Sequence, residues 1–379
     1  MKRSTEGILT THTGSLPRPP DLQKMLLDKD TEAQPDPKAF SARVRTAVAE
    51  VVKHQIDVGI TVPSDGEQSK ISYATYIRER LSGFGGDEVT PFESADARDF
   101  PDYAASRQLN VLRRPTCIGP IEWKDFSQVE DDIKNLKAAS EGVSAAEVFM
   151  TAASPGVASL FLRNRYYKTD DEYLQALADA MKREYNAIAR AGFILQLDCP
   201  DVAMGYNSQF LDLSLEDFRK VVAKHIEVLD YATSEISPDQ MRLHMCWGNG
   251  AGPHHHDVPL RGIVDIVLKA RPQAFSFVGA NPRHEHEWRV WQDVKLPDGK
   301  IIIPGVIDST TNIIEHPDLV AERIVRYAGV VGRENVIAGS DCGFGTSASW
   351  AVVHPQIAWA KLQSLGEGAA TATRQLWRN

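Results

Sequence analysis

Residues 171–198, DEYLQALADAMKREYNAIARAGFILQLD, hold the reading that decides the fold. From Asp171 to Ala191 apolar residues recur at spacings of three and four, the period of a helix with one buried face. Gly192 then marks a stop, and Phe193–Asp198 is a short apolar run ending in a carboxylate. Strands covered on both faces read as near-continuous hydrophobic runs, so a helix leading into such a run is half of a parallel-sheet unit.

The unit recurs along the chain. Apolar, β-branched runs fall at Ile8–Thr11, Ile60–Pro63, Val148–Ala152, Phe193–Asp198, Arg242–Trp247, Ala274–Val278, Ile301–Asp308 and Val336–Asp341. Stretches of helical period lie at Lys38–Val58, Asp171–Ala191, Leu215–Ser234, Val258–Ala270, Pro317–Val331 and Pro355–Leu365, with starts such as Asp171 and Ser214 and stops such as Gly59. Eight strands with crossover helices predict an α/β fold, a (β/α)8 TIM barrel, spanning residues 1–379 as one domain. Phe84–Ile121 breaks the alternation with a polar stretch and short strand-like pieces, and is expected to be an insertion after the second run, residues 84–121. A doubly wound open sheet would carry G-x-G-x-x-G in its first turn; here that turn reads Thr11-His12-Thr13-Gly14-Ser15-Leu16-Pro17-Arg18.

Charge narrows the function. Lys and Arg number 42 against 51 Asp and Glu, a net charge of −9, and no basic tract is present. That balance argues against nucleic acid or an anionic membrane as partner. The start, MKRSTEGILTTHTG, has no apolar signal core, and no run of roughly 18 apolar residues occurs, so a cytoplasmic protein is expected. Cys117, Cys199, Cys246 and Cys342 are too sparse for a disulfide framework.

Barrel enzymes place their chemistry at the carboxyl ends of the strands. Polar and metal-capable residues gather there in this chain: His12–Ser15, Ser64–Glu67, Asp198-Cys199, His244–Trp247, Asn281–His284, Asp308–Thr310 and Asp341–Gly343. His244 and Cys246, two apart on a strand, point to the same face. Cys342, at the end of the last run, adds a second sulfur. Imidazole plus two thiolates suits zinc, and three protein ligands leave a corner for water or substrate. Cys199 is the rival ligand, and burial in a core is the competing reading for all of these sulfurs. Adjacent side chains of His254-His255-His256 cannot all face one ion, so that run reads as a loop with one member as a proton donor.

Taken together, HTGSLPRP (12–19), SDGEQSK (64–70), QLDCPD (196–201), LHMCWGN (243–249), NPRHEHEW (281–288), PGVIDSTTNIIEHPDLVAERI (304–324) and AGSDCGFGT (338–346) resemble the catalytic, C-terminal barrel of the cobalamin-independent methionine synthase superfamily. The resemblance implies one zinc ion per chain, which activates a thiol for alkylation, with His244, Cys246 and Cys342 at the ligand positions. It also implies that Ser15, Glu67 and Asp198 hold the polar end of the thiol substrate. Two departures stand out: Val278 occupies the place of a zinc-binding glutamate, and Asp198-Cys199-Pro200 replaces Asp-Glu-Pro. The N-terminal barrel of the full-length synthase has no counterpart here.

A zinc site without the glutamate resembles the epoxyalkane:coenzyme M transferases, so the expected reaction adds 2-mercaptoethanesulfonate (coenzyme M) to a small aliphatic epoxide. Arg18, Lys70 and Arg283 are then the candidate sulfonate partners, and His256, Asp308 and His12 the candidate donors to the alkoxide. One alternative is a single-barrel methionine synthase methylating homocysteine from a folate or another methyl donor, which the carboxylates Glu67 and Asp198 favour because an amine wants anions. The other is a non-catalytic zinc-binding barrel. The expected partners are a small thiol and a small electrophile, and the sequence leaves open whether the chain forms a homo-oligomer.

Overall fold

The computed structural model describes residues 1–29, 35–90, 93–106 and 112–377. Nine strands are formed among them: β1 Leu9–Thr10, β2 Phe84–Thr90, β3 Leu112–Cys117, β4 Phe149–Ala153, β5 Ile194–Asp198, β6 Met241–Met245, β7 Ala274–Phe277, β8 Ile301–Ile307 and β9 Ile337–Ser340. Seven of these make one sheet in the order β1-β9-β8-β7-β6-β5-β4, every neighbouring pair parallel. Buried residues fill β4 to β9 throughout, as continuous apolar runs require.

The sheet curls into a half-barrel. Arg242 of β6 donates to Thr11 Oγ1 at 2.9 Å and to the His12 carbonyl at 2.8 Å, just past β1. In a flat sheet those strands, four places apart, would be separated by about 19 Å. Arg242 is fully buried, donates to Gln196 Oε1 on β5, and lies over the Phe149 ring of β4.

Seven of the eight anticipated runs form strands; Ile60–Pro63 does not, which corrects the eight-strand expectation. The segment still lies between the sheet's two edges, with Val62 N–H donating to the Thr10 carbonyl and Phe149 N–H to that of Pro63. Pro63 has no N–H to give to a ladder, and the hydroxyls of Thr10 and Thr61 take over the neighbouring backbone bonds.

The helices follow local capping chemistry. Pro37–Asp57 begins with proline behind an Asp36 cap; Asp170–Arg190 is capped by the Thr169 hydroxyl and carries three acidic residues in its first turn. The stretch expected as a helix over Val258–Ala270 breaks into a 3-10 turn, Leu260–Gly262, and a single helical turn, Val264–Val267. The last helix, Pro355–Leu376, runs through glycines that look like a stop. A Cβ on Gly366 would meet the Val58 carbonyl at 2.6 Å and one on Gly368 would meet Val320 at 2.5 Å, so these glycines serve close packing, not termination.

Residues 84–121 contain the antiparallel pair β2–β3 and the short helices Ala95–Asp99 and Pro101–Ser106; residues 91–92 and 107–111 of this stretch lie outside the described ones. Beside it Arg80, buried, bonds to Glu184 at 2.9 Å and to Asp132, and lies over the Tyr76 ring. The Tyr76 hydroxyl donates to the same Glu184 oxygen. This buried ion group joins the short helix Ile77–Arg80 to the helices Ser127–Ser140 and Asp170–Arg190. No helix among the described residues is long and apolar enough to cross a membrane.

Candidate metal centre

Alternation along β6 turns Arg242 and His244 to the concave face of the sheet, and Cys246 follows just beyond the strand end. His244 pairs in register with Ser276 on β7, and its Nδ1 lies 3.0 Å from Ser276 Oγ. With the Nδ1 proton on that hydroxyl, Nε2 presents its lone pair. Cys342 follows β9, its backbone N–H on Ser309 Oγ at 3.1 Å. Next to it, the Asp341 carboxylate accepts the backbone N–H groups of Gly279, Ala280 and Asn281, tying the ends of β7 and β9 together. Burial pushes Asp341 up to about 7.

These anchors bring one donor atom each from His244, Cys246 and Cys342 within 4.8 Å of one another, all three residues buried. The Cys246 thiol is held well below the usual thiol range by the hydrogen bond from Cys342 and by His244, whereas the same contact pushes Cys342 up. A divalent cation bound here would displace the thiol protons. Two sulfurs and an imidazole nitrogen at this separation fit zinc. Cys199 points elsewhere, with its Sγ on the Leu197 carbonyl. Val278 lines the recess above Cys342 together with Trp247, His254, Asn281 and Ser309, so no carboxylate stands at that position. Replacing Ser276 by alanine removes the partner of His244 Nδ1. The expected result is a ~10- to 100-fold loss in metal affinity, measured by chelator competition, with the fold retained.

Two carboxylates sit close by. Glu67 holds a left-handed backbone conformation, φ 56°, rare for a side-chain-bearing residue. Its Oε1 accepts from Thr151, while Oε2 is buried without a partner. Asp198 accepts from Gln196 at 2.7 Å and is pushed well above the usual carboxylate range, first by burial and then by the charge of Glu67. Ser15 is buried against the turn after Cys342: a Cβ on Gly343 would come within 2.0 Å of its hydroxyl oxygen.

The cations expected to meet a sulfonate are engaged with the chain itself. Arg18 donates to the carbonyls of Gly345, Glu67 and Lys70, clamping the turn that carries Glu67. Lys70 donates to the Thr151 carbonyl and hydroxyl, and Arg283 is exposed with a bond to the His255 carbonyl. Among the expected proton donors, His12 accepts from Gly14 N–H at Nδ1 and burial pushes it down to about 3, so at neutral pH the ring is uncharged and its single N–H is on Gln55 Oε1. Asp308 accepts from the backbone and hydroxyl of Thr310. His256 is exposed, bonded to Asp99.

A buried chain of residues went unnoticed in the sequence. His254 Nδ1 and His284 Nε2 both meet Asp257 Oδ2, at 2.7 and 3.0 Å, and His284 Nδ1 meets Glu287 at 2.9 Å. Trp247 stacks on His284. Burial alone would lower His254, but the bond to Asp257 outweighs it and holds His254 at about 9. The signal was available in the alternating His and Glu of NPRHEHEW, though only the fold says which of them face inward.

The chain is a half-barrel α/β protein in which two cysteines and a histidine come close enough to hold a metal ion. No family model matches the sequence. The chain is 22% identical over 370 residues to methionine synthase of Thermococcus kodakarensis, covering 97% of this chain and 94% of that one. It is 25% identical over 380 residues to methionine synthase of Saccharolobus islandicus strain Y.N.15.51, covering 97% and 96%. In structure it resembles the B12-independent methionine synthase from Shewanella sp. W3-18-1 solved in complex with selenomethionine, with a TM-score of 0.75, 19% identity and coverage of 98% and 99%. These likenesses correct the sequence-based expectation of coenzyme M addition to an epoxide: the named relatives are methionine synthases, matched over nearly their whole length.

Proposed function

We propose that this chain is a zinc-dependent methyltransferase of the methionine synthase type, forming methionine from homocysteine and a small methyl donor. The carrying observation is the buried pair Glu67 and Asp198, one oxygen of which has no partner, on the same rim as Cys246 and Cys342. Glu67 Oε2 is a buried acceptor without a hydrogen bond, which is costly, and the α-ammonium group of an amino acid would supply the missing donor. A sulfonate would add to that cost.

His244, Cys246 and Cys342 would hold the zinc ion, which when bound supplies deprotonation of the substrate thiol. Glu67 and Asp198 bind the ammonium group and so orient the homocysteine side chain toward the two cysteines. Ser15 offers a hydroxyl at the same wall. Val278 and Trp247 give the recess its apolar wall. His254, held protonated by Asp257, is placed to give a proton to the departing methyl carrier. The reading takes the chain as a single barrel domain in which Ile60–Pro63 fills the eighth position and residues 84–121 are the insertion; backbone bonds from that segment to both sheet edges support it.

The test is methionine formation by the zinc-loaded protein from homocysteine with a methylated folate or a methylsulfonium donor. Wild type is expected to turn over. Glu67→Gln is expected to raise KM for homocysteine ~10- to 100-fold, the worth of a charge-assisted hydrogen bond, with metal content unchanged. Absence of methionine with both donors, or an unaltered KM, overturns the reading.

A further inference from the structure

The three-histidine run serves a second purpose. His254 turns inward to Asp257, through a left-handed backbone at φ 56°, and its two ring nitrogens are both hydrogen-bonded, to Asp257 and to the Gly250 carbonyl. The turn sends His255 and His256 the other way, toward the helix Ala95–Asp99. There His255 Nε2 lies 2.8 Å and His256 Nε2 2.7 Å from the same oxygen, Asp99 Oδ2. His255 Nδ1 lies 2.8 Å from Asp96 Oδ1, yet this buried nitrogen makes no aligned hydrogen bond. One donor atom from each of Asp96, His255 and His256 falls within 4.8 Å of the others.

We propose that Asp96, His255 and His256 form a second divalent-metal site, suited to zinc, which staples the helix Ala95–Asp99 to the loop following β6. Two imidazoles and one or two carboxylates are a common zinc donor set, and ligand atoms about 2.0–2.1 Å from a tetrahedral ion lie ~3.3 Å apart, within reach of the spacing here. Asp96 is already fixed in place: its carboxylate accepts from the backbone N–H groups of His254 and His256 and from Asn207 Nδ2. A rigid, oriented carboxylate facing a nitrogen with no hydrogen bond is the arrangement an ion completes. The third His/Asp group, His254, Asp257 and His284, differs because its ring nitrogens are all satisfied by hydrogen bonds.

The position gives the staple a role. The stapled loop carries His254 into the recess beside Cys342 and is also held by the Tyr103 hydroxyl on the Ala251 carbonyl. An ion at Asp96, His255 and His256 therefore fixes the loop whose His254 lines the recess beside Cys342, without touching the cysteines themselves.

Chelator-stripped full-length protein titrated with Co²⁺ separates the two sites, because only the cysteine site gives a thiolate-to-cobalt absorption. Wild type is expected to bind two equivalents. The double variant His255→Ala/His256→Ala is expected to bind one, with the thiolate band at full strength. The double variant Cys246→Ser/Cys342→Ser is expected to bind one, without the band. A wild-type stoichiometry of one, or two equivalents retained by the histidine variant, overturns the second site. Neither result depends on methionine formation, so this inference and the proposed activity fail separately.

Discussion

Cys342→Ser is expected to abolish the thiolate-to-cobalt band of the metal centre and to lower methionine formation by more than ~10³-fold, while the circular dichroism spectrum stays that of wild type. The magnitude follows from what is lost. A free alkyl thiol has a pKa of about 8.5, so the gain from complete deprotonation at neutral pH is only ~2 kcal/mol. Fixing the nucleophile against its methyl donor is worth far more, up to ~7–11 kcal/mol for well-oriented reactants. With one sulfur replaced by a hydroxyl, the donor set no longer suits zinc, and both gains vanish together. Cys342 is buried among apolar residues, so serine costs some stability, yet the size match leaves the β9 end in place. A variant that keeps both the band and turnover shows that Cys342 is not the second sulfur. One that keeps the band and loses turnover separates the metal from the chemistry.

Arg80→Met is expected to have the largest effect on stability, a loss of ~3–5 kcal/mol, read as a fall in the urea midpoint at unchanged m-value. Arg80 is buried with Glu184 and Asp132, and its removal strands two carboxylates out of water. Glu184 already has one oxygen without a partner, so no other protein group on that side takes up its charge. Burial disfavours Arg80's charge, but Glu184 and Asp132 together push its pKa above the usual arginine range, so the guanidinium is charged throughout the accessible pH range. The effect is therefore flat across neutral pH. Adding Glu184→Gln to Arg80→Met should recover ~0.5–3 kcal/mol, because the second change removes the stranded charge. Additive losses would show that packing of the arginine stem, not its charge, carries the stability.

Periodicity alone located the elements. The run Phe193–Asp198 and the helix before it were legible because both obey local rules; β5 differs from the reading by one residue at its start and the helix Asp170–Arg190 by one residue at each end. Local rules failed where neighbours intervened. Ile60–Pro63 looked like a strand, but side-chain hydroxyls replaced ladder bonds. The helical stretch read as Pro355–Leu365 runs on to Leu376, because close packing at Gly366 and Gly368 keeps those glycines within the helix. The coenzyme M reading failed for a comparable reason: Val278 was weighed as a missing ligand, whereas the pair Glu67 and Asp198 and the internal bonds of Arg18 and Lys70 set the charge of the pocket.

The sequence by itself determined the order of the sheet's seven strands and the placing of His244, Cys246, Cys342 and Asp198 at strand ends, since these depend on patterns within a few residues. Only the tertiary structure decided which of them meet. β6 and β9 are three places apart in the sheet, about 14 Å if it were flat, and 95 residues of chain lie between Cys246 and Cys342. Curvature, fixed by Arg242 reaching across to the end of β1, brings their donors within 4.8 Å, and curvature is a property of the whole sheet that no single run encodes.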